Sequence, residues 1–124
     1  MRTFAGVNGN IMKDKLASFG RLLQIMDELR AGCPWDKEQT FESLRHLTIE
    51  ETYELSDAIL EKDTQEIKKE LGDLMLHLVF YAKIASETQD FDIKDVIDSI
   101  CDKLVTPGLA ESLPHAGKSR RCWL

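Results

Sequence analysis

Four acidic side chains occupy segments of the chain that are otherwise apolar. Glu51 and Glu54 lie three residues apart in one predicted helix, and Glu70 and Asp73 lie three apart in the next. Carboxylates are almost never fully buried unless they are paired with something positive. Their hard oxygens favour Mg²⁺ or Mn²⁺. The four residues therefore predict a divalent-cation site, which points to a metal-dependent reaction on a phosphate compound.

The spacing within each pair places two carboxylates on one face of a helix. Two antiparallel helices joined by a short turn would set the pairs face to face as a cage of oxygens. On a helical wheel, Glu51 falls near the centre of the inward stripe of its helix, Glu54 falls at its edge and Glu50 falls outside it. The inward stripe predicted for the next helix, which Glu70 and Asp73 flank, consists of Ile67, Leu71, Leu74, Leu78 and Ala85.

Two other interpretations of the acidic residues stay open. An E-x-x-E pair is common on exposed helices, so the four carboxylates could line a solvated groove balanced by Lys68, Lys69 or Lys83. A di-iron carboxylate bundle would require E-x-x-H on two helices. It is disfavoured because His77 stands seven residues after Glu70. The more common role of a histidine beside an acidic pair is that of a hydrogen-bonded structural neighbour.

Four amphipathic helices are predicted to position these residues, because apolar side chains recur with helical spacing and no strand-like alternation competes. Thr40, Asp63 and Asp92 are suitable N-caps for the last three helices. The pattern predicts an all-α, four-helix bundle-like single domain over residues 13–105, with a flexible leader at 1–12 and an irregular tail at 106–124. The third helix is apolar nearly all round, which favours a subunit interface. The predicted helices, caps included, span residues 13–30, 40–61, 63–87 and 92–105.

Size and composition exclude several classes of protein. The 124 residues suit one domain, and the net charge of -6 disfavours a nucleic-acid polymer as partner. The longest uncharged apolar run, residues 74–82, is too short to span a bilayer, and the N-terminus lacks the apolar core of a signal peptide. Three cysteines without a C-x-x-C pair predict reduced thiols in a cytoplasmic protein. They are Cys33, Cys101 and Cys122.

Three segments together resemble the MazG family of nucleoside triphosphate pyrophosphohydrolases. They are GCPWDKEQT at 32–40, EETYELSDAI at 50–59 and ELGDLMLHLVFYAKIA at 70–85. The similarity runs from about residue 22 to residue 104. Each segment alone is a weak signal, whereas the three in order are a specific one.

The resemblance implies the all-α fold of the NTP-pyrophosphatase superfamily, as a homodimer or a dimer of dimers. It implies Mg²⁺-dependent hydrolysis of a nucleoside triphosphate to the monophosphate and pyrophosphate, with Mn²⁺ as a possible substitute. By position, Glu51, Glu54, Glu70 and Asp73 correspond to the family's metal ligands. Glu50, adjacent to the cage, is the candidate to orient or deprotonate the attacking water. The residues that correspond to substrate-binding positions are Leu47, Thr48, Ile49, Trp35, Asp36 and Lys103.

The chain departs from the family pattern after its last predicted helix. MazG proteins usually continue with a basic K-L-x-R-R-H-P-H-V-F stretch, but here residues 103–109 read KLVTPGL. The paired arginines are missing at that place, and Arg120 and Arg121 occur later and out of pattern. The departure favours an alternative function: a catalytically silent helical dimerisation or regulatory module that retains the fold.

Overall fold

The fold is all-α, as the sequence predicts. A computed structural model describes the backbone of residues 5–105 and the side chains of residues 9–105. Within that span there are five helices and no strand. The helices are α1 (Ala5–Gly32), α2 (Pro34–Lys37), α3 (Phe41–Leu60), α4 (Thr64–Glu87) and α5 (Ile93–Val105).

Two helix boundaries differ from the prediction. Helix α1 begins at Ala5, so residues 5–12, expected to belong to a flexible leader, are helical. The side chains of residues 9–12 are exposed, so this extension contributes no buried stripe for the periodicity to reveal. Once a helix is nucleated, each further residue costs little to add. Residues 31–39, which lie between the first two predicted helices, contain one helical turn, α2, with Pro34 in its first turn.

The three predicted N-caps are confirmed. Thr40 and Ser43 form a reciprocal capping box, in which each side-chain oxygen accepts the other's backbone N–H at 3.0 and 2.8 Å. Asp63 and Asp92 each accept the backbone N–H of the residue three positions later, at 3.1 and 3.0 Å. These bonds satisfy amide donors that the first turn of a helix otherwise leaves unpaired. They therefore fix where α3, α4 and α5 begin.

Contacts divide the chain into two compact units, with the boundary between Ile84 and Ala85. In the first unit, the apolar core draws on α1, α3 and α4. Its most buried side chains are Met26, Leu44, Ala58, Val79, Phe80 and Ala82. The described part of the second unit contains the end of α4, a turn and α5, where Val96, Ile97 and Ile100 remain partly exposed.

The inward stripe predicted for α4 is wrong at Leu71 and Leu78, whereas Ala85 is buried and Ile67 and Leu74 are half-buried. Leu71 and Leu78 are 52% and 53% exposed, whereas Glu70, His77 and Phe80 are buried. Because α4 is apolar on nearly every side, helical periodicity could not select the face that meets the core. The consequence is that Glu70 points inward rather than flanking an apolar stripe.

None of the helices in residues 5–105 has both the length and the apolar content that crossing a bilayer requires. Cys33 and Cys101 are free thiols. Cys122, the predicted tail at 106–124 with Arg120 and Arg121, and residues 1–4 lie outside the described residues.

Candidate metal centre

Helices α3 and α4 bring three carboxylates together. Glu51, Glu70 and Asp73 each offer an oxygen within 4.8 Å of those of the other two. Glu70 is only 2% exposed, and Glu51 and Asp73 are half-buried. Glu54, one turn beyond Glu51, is exposed and lies outside this group. The structure thus assembles three of the four predicted ligands, and we call Glu51, Glu70 and Asp73 the acidic cluster.

Two oxygens of the acidic cluster are buried without a hydrogen-bond donor among the described residues. They are Oε1 of Glu51 and Oε1 of Glu70. A buried polar atom that has lost water and gained no partner costs free energy, and a charged one costs more. Hard carboxylate oxygens in this arrangement are the ligands that Mg²⁺ and Mn²⁺ prefer. The residues therefore fit a divalent cation, which would supply the missing partner.

The pKa values of Glu51 and Glu70 are shifted in opposite directions. Burial, together with the neighbouring Glu70, Asp73 and Glu54 carboxylates, raises the pKa of Glu51 from 4.5 to about 7. Burial acts in the same sense on Glu70, but its contacts with Glu66, Glu51 and Lys69 outweigh it and lower the pKa. Close carboxylates cannot all ionise without a counter-charge. At neutral pH the metal-free pair therefore retains a share of a proton, which resides on Glu51.

Lys69 neutralises the outer side of the acidic cluster. Its Nζ lies 3.3 Å from Oε2 of Glu70, 3.3 Å from Oδ2 of Asp73 and 3.8 Å from Oε2 of Glu66. Lys83, another candidate counter-ion in the sequence, forms an ion pair with Asp27 at 3.0 Å instead. The Lys69 side chain is 59% exposed and contacts Oε2 of Glu70. Oε1 of Glu70 is left without a hydrogen-bond partner among the described residues. The interpretation of the carboxylates as a solvated groove balanced by lysine therefore explains the exposed side of the acidic cluster, but not the two buried Oε1 atoms.

A hydrogen-bonded trio ties α3 to α4 beside the acidic cluster. Thr48 Oγ1 lies 2.7 Å from Nδ1 of His77 and 2.6 Å from the hydroxyl of Tyr81. Burial lowers the pKa of His77, partly opposed by the Asp73 charge, so the imidazole is neutral. The prediction that His77 is a hydrogen-bonded structural neighbour is confirmed. Thr48 precedes Glu51 by one helical turn, so the trio anchors the segment of α3 that carries this carboxylate.

Two of the predicted substrate-binding residues, Trp35 and Asp36, lie on α2. Trp35 is 54% exposed and presents an edge-to-face contact to Phe80, with ring centroids 6.5 Å apart and planes at 74°. Asp36 is half-buried, and its backbone oxygen accepts a hydrogen bond from Arg30 at 2.7 Å. The indole is thus held at the surface of the first unit rather than packed into its core.

The remaining predicted site residues differ in their exposure and in the helix on which they lie. Leu47 is half-buried, Ile49 is 43% exposed and Glu50 is exposed. Lys103 is half-buried on α5, in the second unit. None of these four residues belongs to the acidic cluster.

Sequence reasoning missed Arg30 and Tyr81. A basic side chain in the last turn of a helix often bonds carbonyls at that end, and Arg30 occupies this position in α1, just before the Gly-Cys-Pro break. Tyr81 follows His77 by four residues, the spacing of neighbours on one helical face. Both signals are present in the sequence, but neither is specific without the partner helix.

Comparison with known proteins decides the family. The sequence profile of the MazG nucleotide pyrophosphohydrolase domain matches residues 39–106, more than half of the chain. The chain belongs to the MazG family. The matched range contains the acidic cluster, Thr48 and Lys103, whereas Arg30 and Trp35 precede it.

Several MazG-family relatives are similar to the chain. It is 52% identical over 87 residues to the nucleoside triphosphate pyrophosphohydrolase of Escherichia coli K12. These 87 residues cover 68% of this chain and 33% of the relative. It is 48% identical over 96 residues to the MazG nucleoside triphosphate pyrophosphohydrolase/pyrophosphatase of Thermotoga maritima, covering 76% and 38%. A nucleoside triphosphate pyrophosphohydrolase of Mycobacterium tuberculosis is 45% identical over 82 residues, covering 64% and 25%. The chain thus spans between 25% and 38% of the length of these three relatives.

Proposed function

We propose that this protein hydrolyses nucleoside triphosphates to nucleoside monophosphates and pyrophosphate with Mg²⁺, or Mn²⁺ in its place. The observation that carries the proposal is the pair of buried Oε1 atoms of Glu51 and Glu70 that have no donor among the described residues. Membership of the MazG family and the names of the similar relatives support the same reaction. A protein of net charge -6 would also repel a polyanionic substrate unless a metal ion or local lysine or arginine side chains intervened.

The acidic cluster would hold the metal, with Glu54 as a fourth carboxylate from the next turn of α3. When bound there, Mg²⁺ neutralises charge on the triphosphate and lowers the pKa of the attacking water. Occupation of the site would displace the proton retained on Glu51 and satisfy both buried Oε1 atoms. Ligands must be deprotonated to bind a metal, so cation affinity should increase as pH rises through about 7.

Glu50 is the proposed general base. Its side chain is exposed, and it directly precedes Glu51 in α3. Its part is to accept a proton from the water that attacks the α-phosphorus, as pyrophosphate leaves. Because the reaction cleaves a phosphoanhydride, positioning and charge stabilisation provide most of the rate.

The remaining proposed contacts hold the nucleotide. The half-exposed indole of Trp35 offers a face on which a base can stack. Lys103 supplies a positive charge for a phosphate, and Asp36 helps to shape the α2 turn. The residues assigned to the nucleotide site on α3, just before Glu51, are Leu47, Thr48 and Ile49.

A homodimer, or a dimer of dimers, is the proposed assembly. Leu71, Met75 and Leu78 recur at helical spacing on α4 and are 52%, 43% and 53% exposed. An apolar stripe of this kind is more favourable when covered. Light scattering of the purified protein should give a mass of at least two chains, and a monomer at micromolar concentration would contradict this assembly.

The decisive experiment measures pyrophosphate release from a panel of ribo- and deoxyribonucleoside triphosphates with Mg²⁺. We expect turnover by the wild type and loss of turnover in Glu70→Gln. Asp57→Asn, a neutralised exposed carboxylate elsewhere on α3, is the matched control and should retain activity. If a folded wild type releases no pyrophosphate from any nucleotide, the silent helical module suggested by the missing arginine pair becomes the better interpretation.

A further inference from the structure

One guanidinium holds the short turn between α1 and α3. Nη1 of Arg30, in the last turn of α1, donates to the backbone oxygens of Asp36, Lys37 and Gln39 at 2.7, 3.1 and 2.9 Å. The two hydrogens of Nη1 are shared among three acceptors, all on the segment that follows Trp35. Arg30 is half-buried, so these charge-assisted bonds are partly shielded from water.

The turn requires such support because α2 has only four residues. A single helical turn is unstable by itself, and its terminal carbonyls lack partners within the helix. The side chain of Gln39 braces the other side: Nε2 donates to the Trp35 backbone oxygen at 2.9 Å, and Oε1 accepts from the Ser43 hydroxyl at 2.7 Å. The backbone around Trp35 is therefore bonded both to α1, through Arg30, and to the start of α3.

This bracing presents an aromatic ring instead of burying it. Trp35 is 54% exposed, and its ring meets Phe80 of α4 at an angle of 74°. Phe80 follows Asp73 by seven residues, so the two share one face of α4 at a separation of two turns, about 10 Å. The indole is thus offset along α4 from the acidic cluster. This separation is expected if the acidic cluster holds the phosphates of a nucleotide and Trp35 holds its base.

We propose that Arg30 is a positioning residue for nucleotide binding, which acts through the backbone of α2 to hold Trp35 in place for stacking. The inference rests on the proposed function, since it presumes a nucleotide substrate. Holding the ring in advance removes an ordering cost from binding, so the benefit should be seen in substrate affinity. These three bonds of Arg30 act on the backbone of the α2 segment, so we expect the chemical step itself to change little.

The test is a double-mutant cycle on nucleotide hydrolysis. Arg30→Met keeps the length of the aliphatic stem and removes the donors, and we expect KM for the preferred nucleotide to rise about tenfold, the scale of one base–aromatic stack, with kcat nearly unchanged. In a Trp35→Ala background the same substitution should have no further effect on KM. Arg21→Met, an exposed arginine of α1, is the matched control and should resemble the wild type.

A second measurement remains informative if Arg30→Met is too unstable for kinetics. The sequence has two tryptophans, so a Trp123→Phe background leaves Trp35 as the only indole. Arg30→Lys in that background should increase acrylamide quenching of Trp35 while the circular dichroism spectrum stays helical. It should also raise KM in the same sense as Arg30→Met.

Three outcomes would overturn the proposal. In the first, Arg30→Met lowers the melting temperature but leaves KM unchanged, which indicates a structural role alone. In the second, the rise in KM persists undiminished with Trp35→Ala, which places the action of Arg30 elsewhere. In the third, the wild type hydrolyses no nucleotide, and the proposed function then fails as well. If the wild type is active and either of the first two results is obtained, the role proposed for Arg30 is wrong while the proposed function stands.

Discussion

Glu51 and Glu70 approach each other from neighbouring helices, and each buries one Oε1 that no donor in residues 5–105 satisfies. Their pKa values move apart, that of Glu51 upward to about 7 and that of Glu70 downward. Without a metal, this pair is satisfied best by one shared proton. With a divalent cation it needs none, so the same geometry links protonation, metal binding and stability.

Stability of the metal-free protein should fall as pH rises through about 7. Glu51 titrates near 4.5 in the unfolded chain and near 7 in the folded one, so between these values the folded state binds more protons. Its stabilising contribution is complete below about 4.5 and is lost as pH rises through about 7. Urea unfolding in EDTA at about pH 6 and about pH 8 measures the difference.

The control for this pH dependence is Glu51→Gln, which should flatten the slope. The lowered pKa of His77 makes stability rise with pH below its ordinary value, which is the opposite sign, and this contribution is common to both proteins. The lowered pKa of Glu70 acts below 4.5 instead. Identical slopes for the wild type and Glu51→Gln would remove Glu51 from the titrating pair.

Mg²⁺ should stabilise the folded protein and lose that effect when the acidic cluster is altered. A ligand that binds only the folded state adds about 2.7 kcal/mol at a concentration of about 100 times its Kd. We expect the melting temperature at about pH 8 to rise with Mg²⁺ in the wild type and in Asp57→Asn, but not in Glu70→Gln. A flat wild-type titration into the millimolar range would count against the metal centre.

Glu54→Gln tests the one predicted ligand that the structure leaves outside the acidic cluster. If Glu54 completes the metal site, Mg²⁺ affinity should fall at least about tenfold, or about 1.4 kcal/mol, and pyrophosphate release should be lost. Helix content should be unchanged. Metal-free stability should be equal or higher, because the Glu54 charge contributes to the raised pKa of Glu51. Full turnover in this variant would limit the protein ligands to Glu51, Glu70 and Asp73.

The sequence predicted the helices well because their signals are local. Thr40, Asp63 and Asp92 cap their helices through bonds to residues only three positions away, and such bonds depend on no other part of the chain. The wheel also placed Glu51 correctly, half-buried between exposed Glu50 and exposed Glu54. On α3, Leu44 and Ala58 are buried on the same side as Glu51, although other apolar residues of the helix, such as Ile59 and Leu60, are exposed.

The sequence was less informative where an element has several apolar faces or depends on distant partners. Helix α4 offered Leu71 and Leu78 as a credible core stripe, yet they are exposed while Glu70 is buried. Nor could spacing reveal the bonds from Arg30 to α2, because they connect a helix end with carbonyls six to nine residues later. Such contacts depend on how the chain reverses, which no short-range pattern encodes.

Removing the hydroxyl of Thr48 should loosen α3 from α4. Thr48→Val keeps the shape of the side chain but leaves Nδ1 of His77 and the hydroxyl of Tyr81 without their shared partner. Stranding buried polar groups costs about 1–3 kcal/mol, so unfolding free energy should fall by that amount. Thr48→Ser retains the hydroxyl and should lose much less. If urea unfolding shows Thr48→Val to be as stable as the wild type while Thr48→Ser is destabilised, methyl packing matters and the hydrogen bonds do not.

Gly72 lies in the interior of α4, between Glu70 and Asp73, where glycine costs about 1 kcal/mol relative to alanine. A glycine in the interior of a helix usually has a packing or functional reason, such as the close approach of another backbone or a ligand. Yet, apart from the two chain neighbours of Gly72 and the adjacent backbone of α4, no described protein atom lies within 4 Å of the position that a Cβ would take there. Gly72→Ala should therefore raise the unfolding free energy of the metal-free protein by about 0.5–1 kcal/mol.

If pyrophosphate release falls while stability rises, the close approach comes from the substrate or from a second copy of the chain. Light scattering separates these two, because only the second alters the mass. A variant less stable than the wild type would show instead that a neighbour within the same chain already fills the space.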